Sequence, residues 1–266
     1  MSSLDKMLSL LDLFDESCMS IGLEEAMSQA DLSQATAYRY LQSLCQSGLL
    51  SPANGGRYVL GTRIIEFDRL LRRNDPLLRS AHGKIKDFGT RLSVNVMLCA
   101  YYGDKVMCSD QFWIDSRMAQ LYERGKSMPM FRGAMAKTIL ANLTPYQMRN
   151  MMLWHADQIR ESGLGTDWDE FRKTMAKLRD QRVCITRGEV FPKLVGIGAP
   201  IFDAETRVLG SIVFIVDETT LDAARQESLS EEILALAEEI TNDIAKLSPE
   251  HAGGDVRAAR PRKSKH

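Results

Sequence analysis

The sequence predicts an α+β chain of two domains, a small helical one followed by a larger mixed one. Three observations carry this. The chain has 266 residues, which at roughly 150 residues per domain is about two compact units. Apolar residues recur at helical spacing through the first fifty positions and give way to a glycine-turned hairpin. From residue 94 onward, alternating strand-like runs are interleaved with amphipathic helical patterns. With 44% hydrophobic and 26% charged residues the composition is that of a globular protein. The net charge of −1 excludes a global basic field, so any attraction to nucleic acid must be local.

In chain order, Leu4, Met7, Leu8, Leu11 and Phe14 predict an amphipathic helix over 3–16, and Leu23, Ala26, Met27 and Ala30 a second one. After a turn at Asp31 and Leu32, Ser33 is placed to cap a third helix running to Leu44, with Gly48 ending it. Ala37, Tyr40, Leu41 and Leu44 share one side of that helix, while Gln34, Ala35, Tyr38, Arg39, Gln42 and Gln46 spread over the other. The stretch LLSPANGGRYVLG then reads as a strand, a turn at Asn54, Gly55 and Gly56, and a second strand over 57–60. Helix, helix, turn, helix, hairpin is the order of a winged helix-turn-helix.

Charge supports a contact role for the second half of this unit. Residues 1–31 hold one base and seven acids, whereas 32–63 hold three arginines and no acid. Arg57, beside the glycine turn and next to Tyr58, is expected at the wing, where it can meet the phosphate backbone. An ordinary surface helix is the bland alternative for the Arg39 segment, and the hairpin weighs against it. The pattern TRIIEFDRLLRRN predicts a linker helix before Pro76. Domain bounds are therefore set at 1–61 for the winged helix, 62–75 for the linker, 76–248 for the second domain, and 249–266 for a basic, disordered tail.

In the second domain a helix from Leu77 leads to strands at 94–100 and 105–113 about a turn at Gly103 and Asp104. Helices follow at 133–142, 145–156 and 167–181. Strands at 183–187, 195–202 and 207–216 then complete a mixed, largely antiparallel sheet, and a helix over 230–247 ends the pattern. Met97, Cys99, Met107, Ile197, Val213 and Ile215 alternate along strands as core residues, a few of which can border an apolar guest on the concave sheet face. Glu189, just before an apolar strand, is the most interesting acid; an exposed loop carboxylate is its plainer reading.

A catalytic constellation is missing from the pattern. There is no H-E-x-x-H, G-x-S-x-G or G-x-G-x-x-G, and the phosphate-loop-like RGKS at 124–127 has Gln120 where the first glycine would fall. Five cysteines (Cys18, Cys45, Cys99, Cys108 and Cys184) form no C-x-x-C pair, and His82 and His155 lack ligand partners at metal spacing. No metal, no cofactor and no enzymatic activity are expected. An active site around Glu189, His155 or Cys184, and a winged helix that binds protein, remain the alternatives. No apolar run nears the ~18 residues of a membrane span, and the acidic N-terminus is unlike a signal peptide, so a cytoplasmic protein without membrane contact is expected.

LSQATAYRYLQSLCQSGLL with GGRYVLG resembles the winged helix of the IclR family of bacterial transcription regulators. RGKSMPMFRGAMAKTILANL and ITRGEVFPKLVGIGAPIFDAETRVLGSIVFIV resemble its effector domain, so the resemblance spans about residues 3–247. It implies a DNA-binding winged helix, a linker helix, a GAF-like effector-binding domain for a small organic molecule, and dimers that often pair further into tetramers. Double-stranded DNA with a near-palindromic operator and a small organic acid effector are the partners expected on that basis. The family's recognition pattern is matched at Leu32, Thr36, Arg39 and Leu41; Ala35 stands where a serine is usual and Tyr40 where an aliphatic residue is common. DNA contact is accordingly expected from Ser33, Gln34, Thr36, Tyr38, Arg39, Gln42 and Arg57. The effector site is expected at Met97, Cys99, Gly133, Ala134, Met135, Glu189, Ile197, Ala199, Val213 and Ile215. Val213 and Ile215 replace the serines of relatives that bind short oxo acids, which points to a more apolar, aromatic guest.

Overall fold

The computed structural model describes residues 2–103 and 105–247. The tail expected at 249–266 and Asp104 of the expected turn lie outside the described residues. The chain divides between Asn74 and Asp75 into two compact units.

The first unit opens with α1 (Ser3–Leu8), whose first turn is held by reciprocal bonds between Ser2 and Asp5. A single helix over 3–16 is not formed. The chain tightens into a 3₁₀ turn over Ser9–Leu13 and stops. The Asp15 carboxylate accepts the backbone N–H groups of Ser17 at 2.7 Å and Cys18 at 2.9 Å, a local turn that competes with helix continuation. Helix α2 (Leu23–Ala30) ends at Asp31, which takes a left-handed φ of 47°. Helix α3 (Gln34–Gln46) follows directly, with Ser33 as its N-cap.

Ala37, Tyr40, Leu41 and Leu44 of α3 are buried against Leu10, Ile21, Ala26 and Leu50, so the inward face read from the sequence is the inward face of the helix. Strands β1 (Leu50–Ala53) and β2 (Arg57–Leu60) form the antiparallel wing. Ile21 bridges to Tyr58 through two backbone bonds of 2.8 and 2.9 Å, fastening the wing to the chain ahead of α2. Helix α4 (Arg63–Asn74) buries none of its residues.

In the second unit Asp75 caps α5 (Pro76–Leu92), with Pro76 at the first helical position, where its missing N–H costs nothing. Strands β3 (Asn95–Tyr101) and β4 (Val106–Phe112) follow, then the short α6 (Met118–Leu121) and β5 (Ser127–Met128), which carry too few residues for a periodic signal. Helices α7 (Gly133–Ala141), α8 (Pro145–Glu161) and α9 (Trp168–Asp180) precede β6 (Cys184–Arg187), β7 (Leu194–Phe202), β8 (Val208–Asp217) and α10 (Ala223–Leu247). The sheet order is β5-β4-β3-β8-β7-β6, and every pairing among the described residues is antiparallel rather than mixed.

Period-two alternation splits the sheet into two cores. Val96, Leu98, Val195, Ile197, Ala199, Ile201, Ile212 and Phe214 pack against α5 and α10. Met97, Cys99, Val213 and Ile215 face α7, behind which α8 and α9 lie. Among the described residues no helix is long and apolar enough to cross a membrane.

Candidate functional site

Two regions of distinct chemistry stand out, one in each unit. On α3, Gln34, Tyr38 and Arg39 are exposed on the face opposite the core, with Tyr38 at 53%. Thr36 and Gln42 sit half-buried at its flank. The Ser33 hydroxyl accepts the Thr36 N–H at 3.4 Å and lies 3.0 Å from the Thr36 hydroxyl, so both side chains organise the helix start. The Arg39 guanidinium lies 5.7 Å from the centre of the Tyr40 ring and forms no ion pair among the described residues. The aromatic residue at position 40 thus stays in the core with its ring against the cation. This face offers amide, phenol and guanidinium groups on the first turns of a helix, groups chemically able to bond base edges in a major groove.

Arg57 departs from expectation. Its guanidinium is turned back into its own unit, donating to the Ser20 hydroxyl at 2.7 Å, to the Ser20 carbonyl, and to Glu25 Oε1 at 3.1 Å. The Glu25 carboxyl is held below its ordinary value by its own backbone N–H and by Arg57. A partner 32 residues earlier in the chain left no local signature next to the glycine turn. Arg57 ties the wing to the start of α2, and the exposed tip is Asn54, Gly55 and Gly56 instead. Arg57→Gln is therefore expected to lower the thermal midpoint of the first unit, measured by circular dichroism on the full chain, with DNA affinity falling only as far as folding does.

In the second unit a small cavity of about 20 Å³ lies between the sheet and the start of α7. Of the residues expected at the effector site, Gly133, Ala134, Met135, Glu189, Val213 and Ile215 line it. Met97 and Cys99 lie in the core on the same sheet side but do not line the cavity. Ile197 and Ala199 face the other way, into the α5 and α10 layer. The positions of β7 that face α7 are Gly196 and Gly198, which pair with Ile215 and Val213. Ile197 and Ala199 thus lie one register position from the strand face expected of them, and in a strand a one-residue step reverses every side chain. Ile197 and Ala199 carry the apolar side chains of this strand, whereas its α7 side is bare at Gly196 and Gly198 to let the helix approach.

Gly133 has a φ of 81°, and a Cβ there would fall 2.7 Å from Val190 Cγ2, so the turn into α7 requires glycine. Glu189 is no free loop carboxylate. Its Oε2 accepts the Gly133 N–H at 2.9 Å and its Oε1 accepts Lys137 Nζ at 2.6 Å, with the lysine side chain only 14% exposed. The helix N-terminus and the ammonium together make an anion-binding corner, and Glu189 is the anion in it. The Ser211 hydroxyl donates to the Met135 carbonyl at 3.0 Å, which fixes α7 against β8.

Residues from irregular segments complete the wall. Tyr122 and Phe191 line the cavity and meet edge to face with ring centres 5.1 Å apart, and Trp113 lies 5.8 Å beyond Tyr122. Burial pushes the Tyr122 phenol well above its ordinary value, so it stays a neutral hydrogen-bonding group. Neither Tyr122 nor Phe191 belongs to a strand or a long helix, and no periodicity could have marked them.

No hydrogen bond links the groups of the alternative catalytic reading, His155, Cys184 and Glu189, among the described residues. His155 Nδ1 lies 2.9 Å from Gln158 Oε1, and its ring packs near Phe131. Burial pushes the Cys184 thiol up to about 11, too high for an active nucleophile. Glu189 is held by Lys137. No group of three His, Cys, Asp or Glu residues suited to a metal occurs among the described residues.

Comparison with known proteins agrees with this geometry. The family model described as bacterial transcriptional regulator IclR C-terminal matches residues 71–242, and the IclR helix-turn-helix domain matches residues 3–52. The probable HTH-type transcriptional regulator ArcR of Halobacterium salinarum is 26% identical over 229 residues, covering 84% of this chain and 85% of its own. The crystal structure of an IclR transcriptional regulator from Alicyclobacillus acidocaldarius superposes with a TM-score of 0.71 at 17% identity, over 91% of this chain and 98% of the other. An IclR homologue from Microbacterium hydrocarbonoxydans, crystallised in complex with 4-hydroxybenzoate, gives a TM-score of 0.71 at 17% identity, over 91% and 99% of the two chains.

Proposed function

The chain belongs to the IclR family of bacterial transcriptional regulators, and we propose that it controls a catabolic operon, reading a near-palindromic operator with α3 and sensing a small aromatic acid in the sheet-face cavity. DNA binding through the helix-turn-helix belongs to the family; the operator contacts, the effector class and the assembly are the finer reading. The observation that carries the effector class is the cavity wall. Tyr122 and Phe191 offer ring faces and edges, and Val213 and Ile215 offer no hydroxyl to a polar guest.

A guest carboxylate fits the corner formed by the Gly133 N–H and Lys137, displacing Glu189 from it. A cavity of about 20 Å³ admits a ring only when its lining moves. Met135, an adaptable side chain at the α7 start, is suited to giving way. The 4-hydroxybenzoate complex of the Microbacterium homologue is in keeping with this class. Calorimetric titration with benzoate, 4-hydroxybenzoate, pyruvate and glyoxylate tests it. The aromatic acids should bind at least about tenfold tighter, or about 1.4 kcal/mol, and preference for the short oxo acids would overturn the effector class.

Self-association is proposed through α4. Ile65 is 71% exposed and Phe67, Leu70 and Leu71 each more than 40%, an apolar stripe that a second copy can cover. Two α3 helices then meet half-sites about 34 Å or a multiple apart. Phe67→Glu should shift the sedimentation coefficient toward the monomer at micromolar concentration and weaken operator binding with it. Unchanged sedimentation would remove α4 from the interface. A gel shift with the chain's own upstream region adds the salt test, since release of counterions from six to ten phosphates predicts a loss of roughly 10³–10⁵ in affinity between 50 and 200 mM salt.

A further inference from the structure

We propose a second ligand site in the C-terminal unit, a cleft of about 270 Å³ at the far end of α7 from Gly133, suited to a ring-sized organic anion that also carries a hydroxyl. The cleft is bordered by the end of α7, by the end of α9 and the turn after it, by Pro200 and Phe202 of β7, and by α10. It shares no residue with the sheet-face cavity.

Three features give its chemistry. Its walls are apolar, from Ala141, Leu178, Phe202, Leu234 and Ala237, so the body of the guest is apolar. Arg179 and Arg182 line it and are exposed; among the described residues they form no ion pair, and Glu238 is the one acid in the lining. Two guanidinium groups against one carboxylate favour an anion, and the planar fork suits a carboxylate.

The third feature is Thr138. Thr138 borders the cleft, the residue is 3% exposed, and its Oγ1, buried toward Gly198, has no oxygen or nitrogen hydrogen-bond partner among the described residues. The adjoining Cys184 thiol is a weak partner at best. A threonine inside a helix can bond the carbonyl one turn back, and this one does not. A buried hydroxyl left unpaired costs roughly 1–3 kcal/mol, and a guest hydroxyl reaching it would remove that cost. The closing turn of α7 adds carbonyl acceptors nearby, so the guest's hydroxyl belongs at that end and its carboxylate toward the arginines.

The probe is 4-hydroxybenzoate, titrated calorimetrically into the full chain, with benzoate and 4-hydroxybenzyl alcohol as controls lacking the hydroxyl and the charge. Arg179→Gln with Arg182→Gln changes exposed side chains only and should weaken one class of site at least tenfold. Thr138→Val, which removes a hydroxyl whose one partner is the weak Cys184 thiol, should weaken the same class severalfold for 4-hydroxybenzoate but leave benzoate unaffected, without lowering the thermal midpoint. Val213→Phe fills the sheet-face cavity and should leave this class intact, which separates the two sites. The proposal is overturned if no class of binding responds to the double arginine substitution, if 4-hydroxybenzoate does not bind, or if Val213→Phe abolishes all binding in a chain that still folds.

Discussion

Replacing Arg39 by alanine should weaken operator binding about 10- to 100-fold while leaving effector affinity within twofold. The size follows from what a guanidinium does in a major groove, where one well-placed bidentate contact to a guanine edge is worth about 1–3 kcal/mol. Arg39 is equipped for it, since it stands on the outward face of α3, and the Tyr40 ring 5.7 Å away favours the cation without neutralising it. The loss should be largest for the native operator and small for random duplex, which distinguishes a base contact from a phosphate contact. Gel shifts on both duplexes, with calorimetry for the effector, measure it. Equal weakening on both would make Arg39 a backbone contact, and a parallel loss of effector binding would contradict a division of labour between the two units.

The contrast between Arg39 and Arg57 shows where sequence reasoning reaches and where it stops. Arg39 was legible because everything that orients it is local: the cap at Ser33, the helical period, and the buried stripe through Ala37, Leu41 and Leu44. Arg57 looked equally eligible, yet its direction is set by Ser20 and Glu25, which the fold brings to it from 37 and 32 residues away. The same division runs through the second unit. Strands and helices announced themselves by period, and Gly133 to Met135 and Glu189 were marked by motif. The link from Glu189 to Lys137, the ring pair of Tyr122 and Phe191, and the face to which β7 turns its glycines depend on tertiary placement. A strand buried on both sides carries apolar residues at nearly every position, so hydrophobicity cannot say which set faces the guest.

That register error can be tested directly, because the two readings assign opposite consequences to neighbouring residues. Gly198→Val should destabilise the C-terminal unit by about 1–3 kcal/mol, toward the upper end, and weaken effector binding more than tenfold. A Cβ at Gly198 would stand 2.8 Å from Thr138 Oγ1 and 3.2 Å from the Ala134 carbonyl oxygen, and that oxygen is held in the backbone of α7. The helix must lift from the sheet, carrying with it the Gly133 N–H and Lys137 that form the anion-binding corner. Ile197→Val should cost about 0.5–1.5 kcal/mol through a small void under α5 and α10 and leave effector affinity unchanged, because Ile197 touches the other core. Urea unfolding midpoints and effector titrations on both variants decide between the readings. If Ile197→Val impaired effector binding while Gly198→Val was tolerated, β7 would present the opposite face to α7, and Ile197 would border the effector instead of Gly198.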